Sequence, residues 1–277
     1  MKANQQLIFV ILRKNLANTL MNKKQLKLIA QKILPSPIYH WLKPQWQAHK
    51  LHPPLGRVNF GNLRNLKPIS DDWGWDRGQP IDRYYIENFL FSHSDDIKGR
   101  VLEIGDSSYT NKYGGDRVTK SDVLHAIEDN PKATIVGDLA NAPQISSDTF
   151  DCFILTQTLQ YLYDVQSAVK TIYRILKPGG VLLATLPNLT PILDPGKDDK
   201  SWGSSCWYWG FTAASAQRLF LETFPKENIQ VETYGNVLTA TAFLQGLSSQ
   251  ELSQKELNYC DPSYQVLITV RAVKPGG

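Results

Sequence analysis

From residue 100 onward the sequence alternates short apolar, β-branched runs with stretches of helical spacing, and this restricts the chain to few architectures. "RVLEIGD" reads as a strand ending in a turn, and "DRVTKSDVL", "ATIVGDL", "FDCFILTQTL" and "VLLATLPN" read as four more strands. Between the last two lies "DVQSAVKTIYRIL", where Val165, Ala168, Val169, Ile172, Ile175 and Leu176 recur at helical intervals. "KPGG" ends that helix, with Gly179 or Gly180 suited to a positive φ. "TAASAQRLFLETF" predicts a further helix with Thr212 as N-cap, and "IQVETYG" and "YQVLITVRAV" supply two late strands. Ahead of this region, Pro80 suits the start of a helix that carries Asp82 and Glu87 in its early turns and Ile81, Tyr85 and Phe89 on related faces. The alternation predicts an α/β fold: a doubly wound, seven-stranded, mostly parallel sheet with helices on both faces.

Charge divides the 277 residues differently. Residues 1–70 contain no Asp or Glu and 12 Lys or Arg, leaving a net charge of −8 on the remainder. We therefore expect a basic extension and linker over residues 1–70 and one αβ domain over residues 71–277. "KKQLKLIAQKIL" is amphipathic, with Leu26, Ile29, Ile33 and Leu34 near one face and lysines near the other. Such a helix either packs on the body or lies on an anionic leaflet, so residues 1–34 are a candidate peripheral membrane contact. The early apolar run "LIFVIL" is far shorter than the ~20 residues of a spanning helix. No small-residue cleavage site follows it before Lys23, which speaks against a signal peptide. Cys152, Cys206 and Cys260 have neither metal-ligand spacing nor the even count of a disulfide framework, so no metal is expected and a reducing, cytoplasmic setting fits.

Ligands of doubly wound sheets bind at the carboxyl ends of the strands, and "GDSSYT" follows the first strand there. Gly105 lets the backbone approach a ligand closely. Asp122, 17 residues on, has the spacing of an acid that binds ribose hydroxyls, and is read at the end of the second strand. The fingerprint G-x-G-x-x-G is absent, which disfavours a nicotinamide dehydrogenase. No nucleic-acid recognition module is evident, so nucleic acid is not an expected partner.

The order of motifs resembles the class I S-adenosylmethionine-dependent methyltransferases, over about residues 80–275. Glu103 and Gly105 match the start of the first motif, while Ser107 and Tyr109 replace its later glycines. Asp122 matches the acid after strand two, Gly137 and Asp138 the "GD" after strand three, "DTFDCFILTQTLQYLYD" the segment through strand four, and Leu176 to Gly180 the "LKPGG" before strand five. "GRVLEIGDSSYT" and "GGDRVTKSDVLH" further resemble a methyltransferase type 11-like subgroup associated with glycosyltransferases in bacterial polysaccharide clusters.

The resemblance implies S-adenosylmethionine as cofactor, held by Glu103, Gly105, Asp106, Tyr109, Asp122, Val123, Gly137, Asp138, Leu139, Gln157 and Thr158. Glu103 would anchor the loop and face the methionine amine, Asp122 the ribose, Asp138 and Leu139 the adenine, and Gln157 and Thr158 the methionine portion. A hydroxyl acceptor benefits from a base, for which Tyr161 and His125 are the candidates, with His125 nearer the ribose. The helix before strand one would cover the cofactor, with Arg77 or Arg83 pairing with a carboxylate and Tyr84 or Tyr85 capping it. Trp202, Trp207, Tyr208 and Trp209 crowd one loop and suit either stacking on a sugar ring or packing. The expected function is methyl transfer to an oxygen of a saccharide, glycolipid or related small molecule, with a glycosyltransferase partner. The alternative is a non-catalytic methyltransferase-like scaffold or docking module for a glycosyltransferase or membrane complex.

Overall fold

The computed structural model describes residues 53–192 and 207–277. The chain divides into two compact units, residues 1–64 and 65–277. Expectations for residues 1–34, for Trp202 and for Cys206 lie outside the described residues. In the first unit a 3₁₀ turn spans Gly61–Arg64, and the Arg64 guanidinium stands 5.3 Å from the centre of the Phe60 ring.

The second unit is built on seven strands: β1 (Gly99–Ile104), β2 (Val118–His125), β3 (Ile135–Val136), β4 (Phe150–Thr156), β5 (Leu176–Pro187), β6 (Ile229–Tyr234) and β7 (Leu267–Val273). They form one sheet in the order β3-β2-β1-β4-β5-β7-β6. The β1–β2, β1–β4, β2–β3 and β4–β5 pairs are parallel, and β7 runs antiparallel to both β5 and β6. The predicted class is therefore the observed one. Its helices are fewer than the alternation suggests. Between β1 and β2 stand only a π turn (Thr110–Gly114) and a 3₁₀ turn (Gly115–Arg117).

Among the described residues the α-helices are α1 (Ile81–Ser92), α2 (Val165–Ile175), α3 (Ala213–Leu221), α4 (Val237–Leu244) and the short α5 (Gln254–Asn258). Local caps set several starts. Asp164 accepts from the Ser167 N–H at 3.0 Å. Thr212 caps α3 as expected, in a reciprocal box with Ser215. Asn236 accepts from the Leu238 and Thr239 N–H groups and donates to the carbonyls of Glu256 and Tyr259, tying α4 to α5.

Alternate strand residues point to opposite faces, which sorts the core into two layers. Leu102, Phe153, Leu155, Leu182, Ala184 and Ile268 pack under Ala168, Val169 and Ile172 of α2 and Phe220 of α3. Val101, Cys152, Ile154, Leu183 and Leu267 pack under Tyr85, Ile86 and Phe89 of α1 and Ala240 and Phe243 of α4. Burial pushes the Cys152 thiol up, whereas Cys260 is exposed and donates to the Thr233 carbonyl. In native protein a thiol reagent is expected to label Cys260 and spare Cys152 until unfolding, read by peptide mass mapping. Native labelling of Cys152 would contradict its place in the sheet.

Residues 69–80 strap the α4–α5 connection to α1. The N–H groups of Ile69 and Ser70 both donate to the Gln245 carbonyl, and the Ser249 N–H donates to Gln79. Gly246 has φ +68° beside the Ser70 backbone, where a Cβ would stand 2.1 Å from the Ser70 oxygen. Only glycine allows that contact.

Candidate functional site

The carboxyl ends of β1, β2 and β4 open into a cavity of about 200 Å³, lined at its base by Ile104, Gly105, Leu124 and His125 and above by Gly137, Asp138, Gln157, Thr158 and Tyr161. Gly105 adopts φ +81° with nothing within 4 Å of a Cβ position. The turn thus needs glycine for its backbone, and leaves the space above it open for a ligand. Its N–H donates to the Leu124 carbonyl, and its own carbonyl accepts from Asn130 Nδ2 at 2.6 Å.

Glu103 lies beneath this turn, 2% exposed. Its Oε1 accepts from the Tyr109 N–H at 3.1 Å, and its Oε2 from the Thr110 N–H at 2.8 Å and the Thr110 hydroxyl at 2.7 Å. Burial pushes its carboxyl up, and the three donors oppose that. The carboxylate does for the π turn what an N-cap does for a helix, which explains how the turn holds its course with Ser107 and Tyr109 in place of glycines. Asp106 caps the Ser108 N–H and stands 3.5 Å from Lys132; partial burial pushes its carboxyl up, but these partners bring it below its ordinary range.

The wall above β4 is held by an uncommon backbone. Gln157 has φ +47°, a left-handed conformation that costs a non-glycine residue of order 1–3 kcal/mol and tends to persist at ligand sites. Its N–H donates to Thr185, and its carbonyl accepts from Gln160 Nε2 at 3.0 Å. Gln160 Oε1 is buried without a hydrogen-bond partner. Thr158 is 5% exposed, its hydroxyl bonded to the Thr156 carbonyl. Asp138 is exposed and caps the Ala140 N–H through Oδ1, and Leu139 is buried beside it.

An aromatic loop leans on this wall. The N–H groups of Tyr208 and Trp209 donate to the Gln160 carbonyl, and Trp209 Nε1 donates to Leu162 at 2.9 Å. The Trp207 ring meets Tyr161 edge-on at 5.2 Å, while Tyr208 and Trp209 meet Tyr163 at 5.4 and 6.0 Å. The loop packs through these contacts, while Tyr163, Tyr208 and Trp209 keep 73%, 50% and 37% of their surface exposed. A larger recess, about 770 Å³, lies against the edge strand β6 and includes Tyr85, Thr233 and Cys260. It stands away from the carboxyl ends of β1, β2 and β4, and of the sequence-derived candidates it takes Tyr85, read in the sequence as capping the cofactor, whose hydroxyl donates to the Leu257 carbonyl.

The structure thus brings Gly105, His125, Gly137, Asp138, Leu139, Gln157, Thr158 and Tyr161 around one cavity. Glu103, Asp106 and Tyr109 do not line it, but adjoin it through the turn at Gly105 that Glu103 anchors. Asp122 and Val123 stand apart. The β1–β2 register pairs Asp122 with Leu102, and β2 runs on to His125. Asp122 therefore sits in the body of the strand and not at its end. Its carboxylate accepts from Arg100 Nε at 2.7 Å and from the Thr134 hydroxyl at 3.2 Å. The residue level with Gly105 is His125, whose Nδ1 lies 3.0 Å from the Ile127 carbonyl and 3.2 Å from Asp129. The spacing rule found the strand and missed its last turn, because register depends on a partner strand. Leu124 and Ala126, also in the wall, carry no signal beyond their place beside His125.

A methyltransferase-domain family matches residues 102–184, the stretch from β1 through β5 that carries most of the cavity. A ubiquinone/menaquinone biosynthesis C-methyltransferase of Haemophilus ducreyi is 40% identical over 67 residues, 22% of this chain and 26% of that protein. The corresponding Klebsiella pneumoniae protein is 32% identical over 99 residues, 35% of this chain and 36% of its own length. The chain spans about a quarter to a third of these curated relatives. Among solved structures, the N-methyltransferase NodS of Bradyrhizobium japonicum bound to S-adenosylhomocysteine has a TM-score of 0.45 at 14% identity, over 75% of this chain and 95% of that one.

Proposed function

We propose that this chain, whose αβ body carries a class I S-adenosylmethionine-dependent methyltransferase domain, transfers a methyl group to an oxygen of a saccharide, glycolipid or related small molecule. The observation that carries the reading is the cavity at the carboxyl ends of β1, β2 and β4, opened by the positive-φ turn at Gly105. Its polar groups suit the cofactor. Gly105 admits close approach, His125 at the strand end reaches the ribose, and Asp138, with one carboxylate oxygen left by its turn, accepts from the adenine amine. Gln157 and Thr158 border the methionine portion. The cofactor supplies an electrophilic methyl on a sulfonium. The remaining work falls to alignment, since a well-oriented displacement gains most from proximity.

Tyr161 stands in the wall between the cavity and the aromatic loop, so an acceptor entering there meets its phenol first. The exposed faces of Tyr163, Tyr208 and Trp209 suit the C–H face of a pyranose, which supports a saccharide acceptor. The basic residues of 1–70 support a peripheral contact with an anionic cytoplasmic leaflet, where a glycosyltransferase partner would also act.

Calorimetric titration with S-adenosylhomocysteine is expected to give micromolar binding, worth ~8 kcal/mol, with none for NAD. No binding to the folded protein would move the chain to the scaffold reading. Transfer of labelled methyl to glycans then tests the acceptor. A label resistant to ether cleavage would place the methyl on carbon or nitrogen and overturn the oxygen assignment.

A further inference from the structure

Gln160 stands between the cavity wall and the ring loop. It is 1% exposed, in the middle of a 3₁₀ turn (Leu159–Tyr161) whose neighbours Thr158 and Tyr161 line the cavity. Its amide Nε2 donates to the Gln157 carbonyl at 3.0 Å and lies 3.3 Å from Gln157 Oε1. Its own Oε1 is buried with no hydrogen-bond partner. Turning the amide over would not cure this. A backbone carbonyl only accepts, so the flip would set one oxygen against another. The donor has to face Gln157, and the orphaned oxygen follows from that.

An unpaired buried acceptor weakens a fold, and an apolar side chain of similar length would avoid it. The amide serves the residue it grips. Of the three non-glycine residues with positive φ among the described residues, only Gln157 lines the cavity. Without a partner for its carbonyl, a residue with a Cβ relaxes towards negative φ, and the wall changes shape. On the other side, the Gln160 backbone carbonyl accepts from the Tyr208 N–H at 2.8 Å and the Trp209 N–H at 3.3 Å. A shift of the turn therefore moves the anchor of the ring loop.

We propose that Gln160 is a positioning residue for the transfer reaction: its amide holds Gln157 in the left-handed conformation that shapes the cavity wall, and its carbonyl fixes the ring loop to the same turn. The assignment of that wall to a cofactor rests on the methyltransferase reading; the link between wall and loop does not.

The test compares wild-type protein, Gln160→Met, Gln157→Gly and the double variant in calorimetric titrations of S-adenosylhomocysteine, thermal melts and amide hydrogen exchange. Methionine keeps the length of the side chain and removes both the donor and the orphaned acceptor. Gln160→Met is expected to bind S-adenosylhomocysteine about 10-fold more weakly while melting close to wild type. A residue that only supported the fold would show the reverse. Glycine adopts positive φ unaided, so in the Gln157→Gly background the same substitution should cost about twofold or less. Exchange at the Tyr208 and Trp209 amides should quicken in Gln160→Met. Unchanged affinity in Gln160→Met overturns the proposal, as does a melt far below wild type, an equal loss of affinity in both backgrounds, or unchanged exchange at both amides. If wild-type protein does not bind S-adenosylhomocysteine, the methyltransferase reading fails by itself, and exchange at the Gln157, Tyr208 and Trp209 amides decides Gln160. Faster exchange in Gln160→Met then supports the link, and wild-type rates overturn it.

Discussion

Glu103→Ala is expected to lower stability by about 3–5 kcal/mol and S-adenosylhomocysteine affinity by 30-fold or more. The loss follows from what the carboxylate holds. It accepts the N–H groups of Tyr109 and Thr110 and the Thr110 hydroxyl, all packed under α1. Hydrogen bonds to a charged acceptor are worth about 1.5–3 kcal/mol each, and alanine leaves the donors unpaired. With the turn released, Gly105 no longer holds the approach to the cavity. A domain of this size should melt about 10 °C lower. Glu103→Gln keeps the volume and one acceptor oxygen, so it should fall between. Its pH profile adds a sign. Because burial raises the Glu103 carboxyl, its contribution to stability is full below the ordinary carboxylate pKa and declines as pH rises through the raised value; the Gln variant loses that slope. Unchanged melting and unchanged affinity in Glu103→Ala would show that the turn stands without its anchor.

The second large effect separates two residues three positions apart. Asp122→Ala is expected to cost about 2–3 kcal/mol of stability and to leave cofactor affinity within about threefold of wild type. Its carboxylate, 5% exposed, pairs with Arg100 at 2.7 Å. Breaking a fully buried pair costs about 3–5 kcal/mol, and Arg100, 34% exposed, recovers part of that by turning to water. His125→Ala should do the reverse: little change in melting, and a five- to tenfold weaker S-adenosylhomocysteine complex, since His125 lines the cavity. Thermal melts and titrations on both variants decide it. A folded Asp122→Ala protein with normal melting and lost affinity would restore the ribose role to Asp122.

Those two residues show where local reading ends. Strand runs, the Thr212 cap, the positive φ at Gly179 and the glycine turn at residue 105 were all legible, because each depends on a few neighbouring residues and on backbone sterics. The seven strands and their succession along the chain followed from the alternation of runs, while their order in the sheet is set by pairing. The shortness of the β1–β2 connection was less legible: "SSYTNKYGGDR" has no apolar repeat, and what it does in place of a helix depends on Glu103 reaching up from β1.

By itself, then, the sequence determined the α/β class, the succession of its strands along the chain and the end of the sheet at which a ligand binds, since periodicity, caps and turn chemistry act over a few residues. Only the tertiary structure decided which side chains reach that end. Parallel register set His125, and not Asp122, level with Gly105. An ion pair between Lys112 and Glu87 ties the π turn to α1. Hydrogen bonds from the Tyr208 and Trp209 N–H groups to the Gln160 carbonyl set those two partly exposed rings against Tyr163. Each of these contacts joins residues 20 or more positions apart, and so depends on interactions that no local stretch of chain contains.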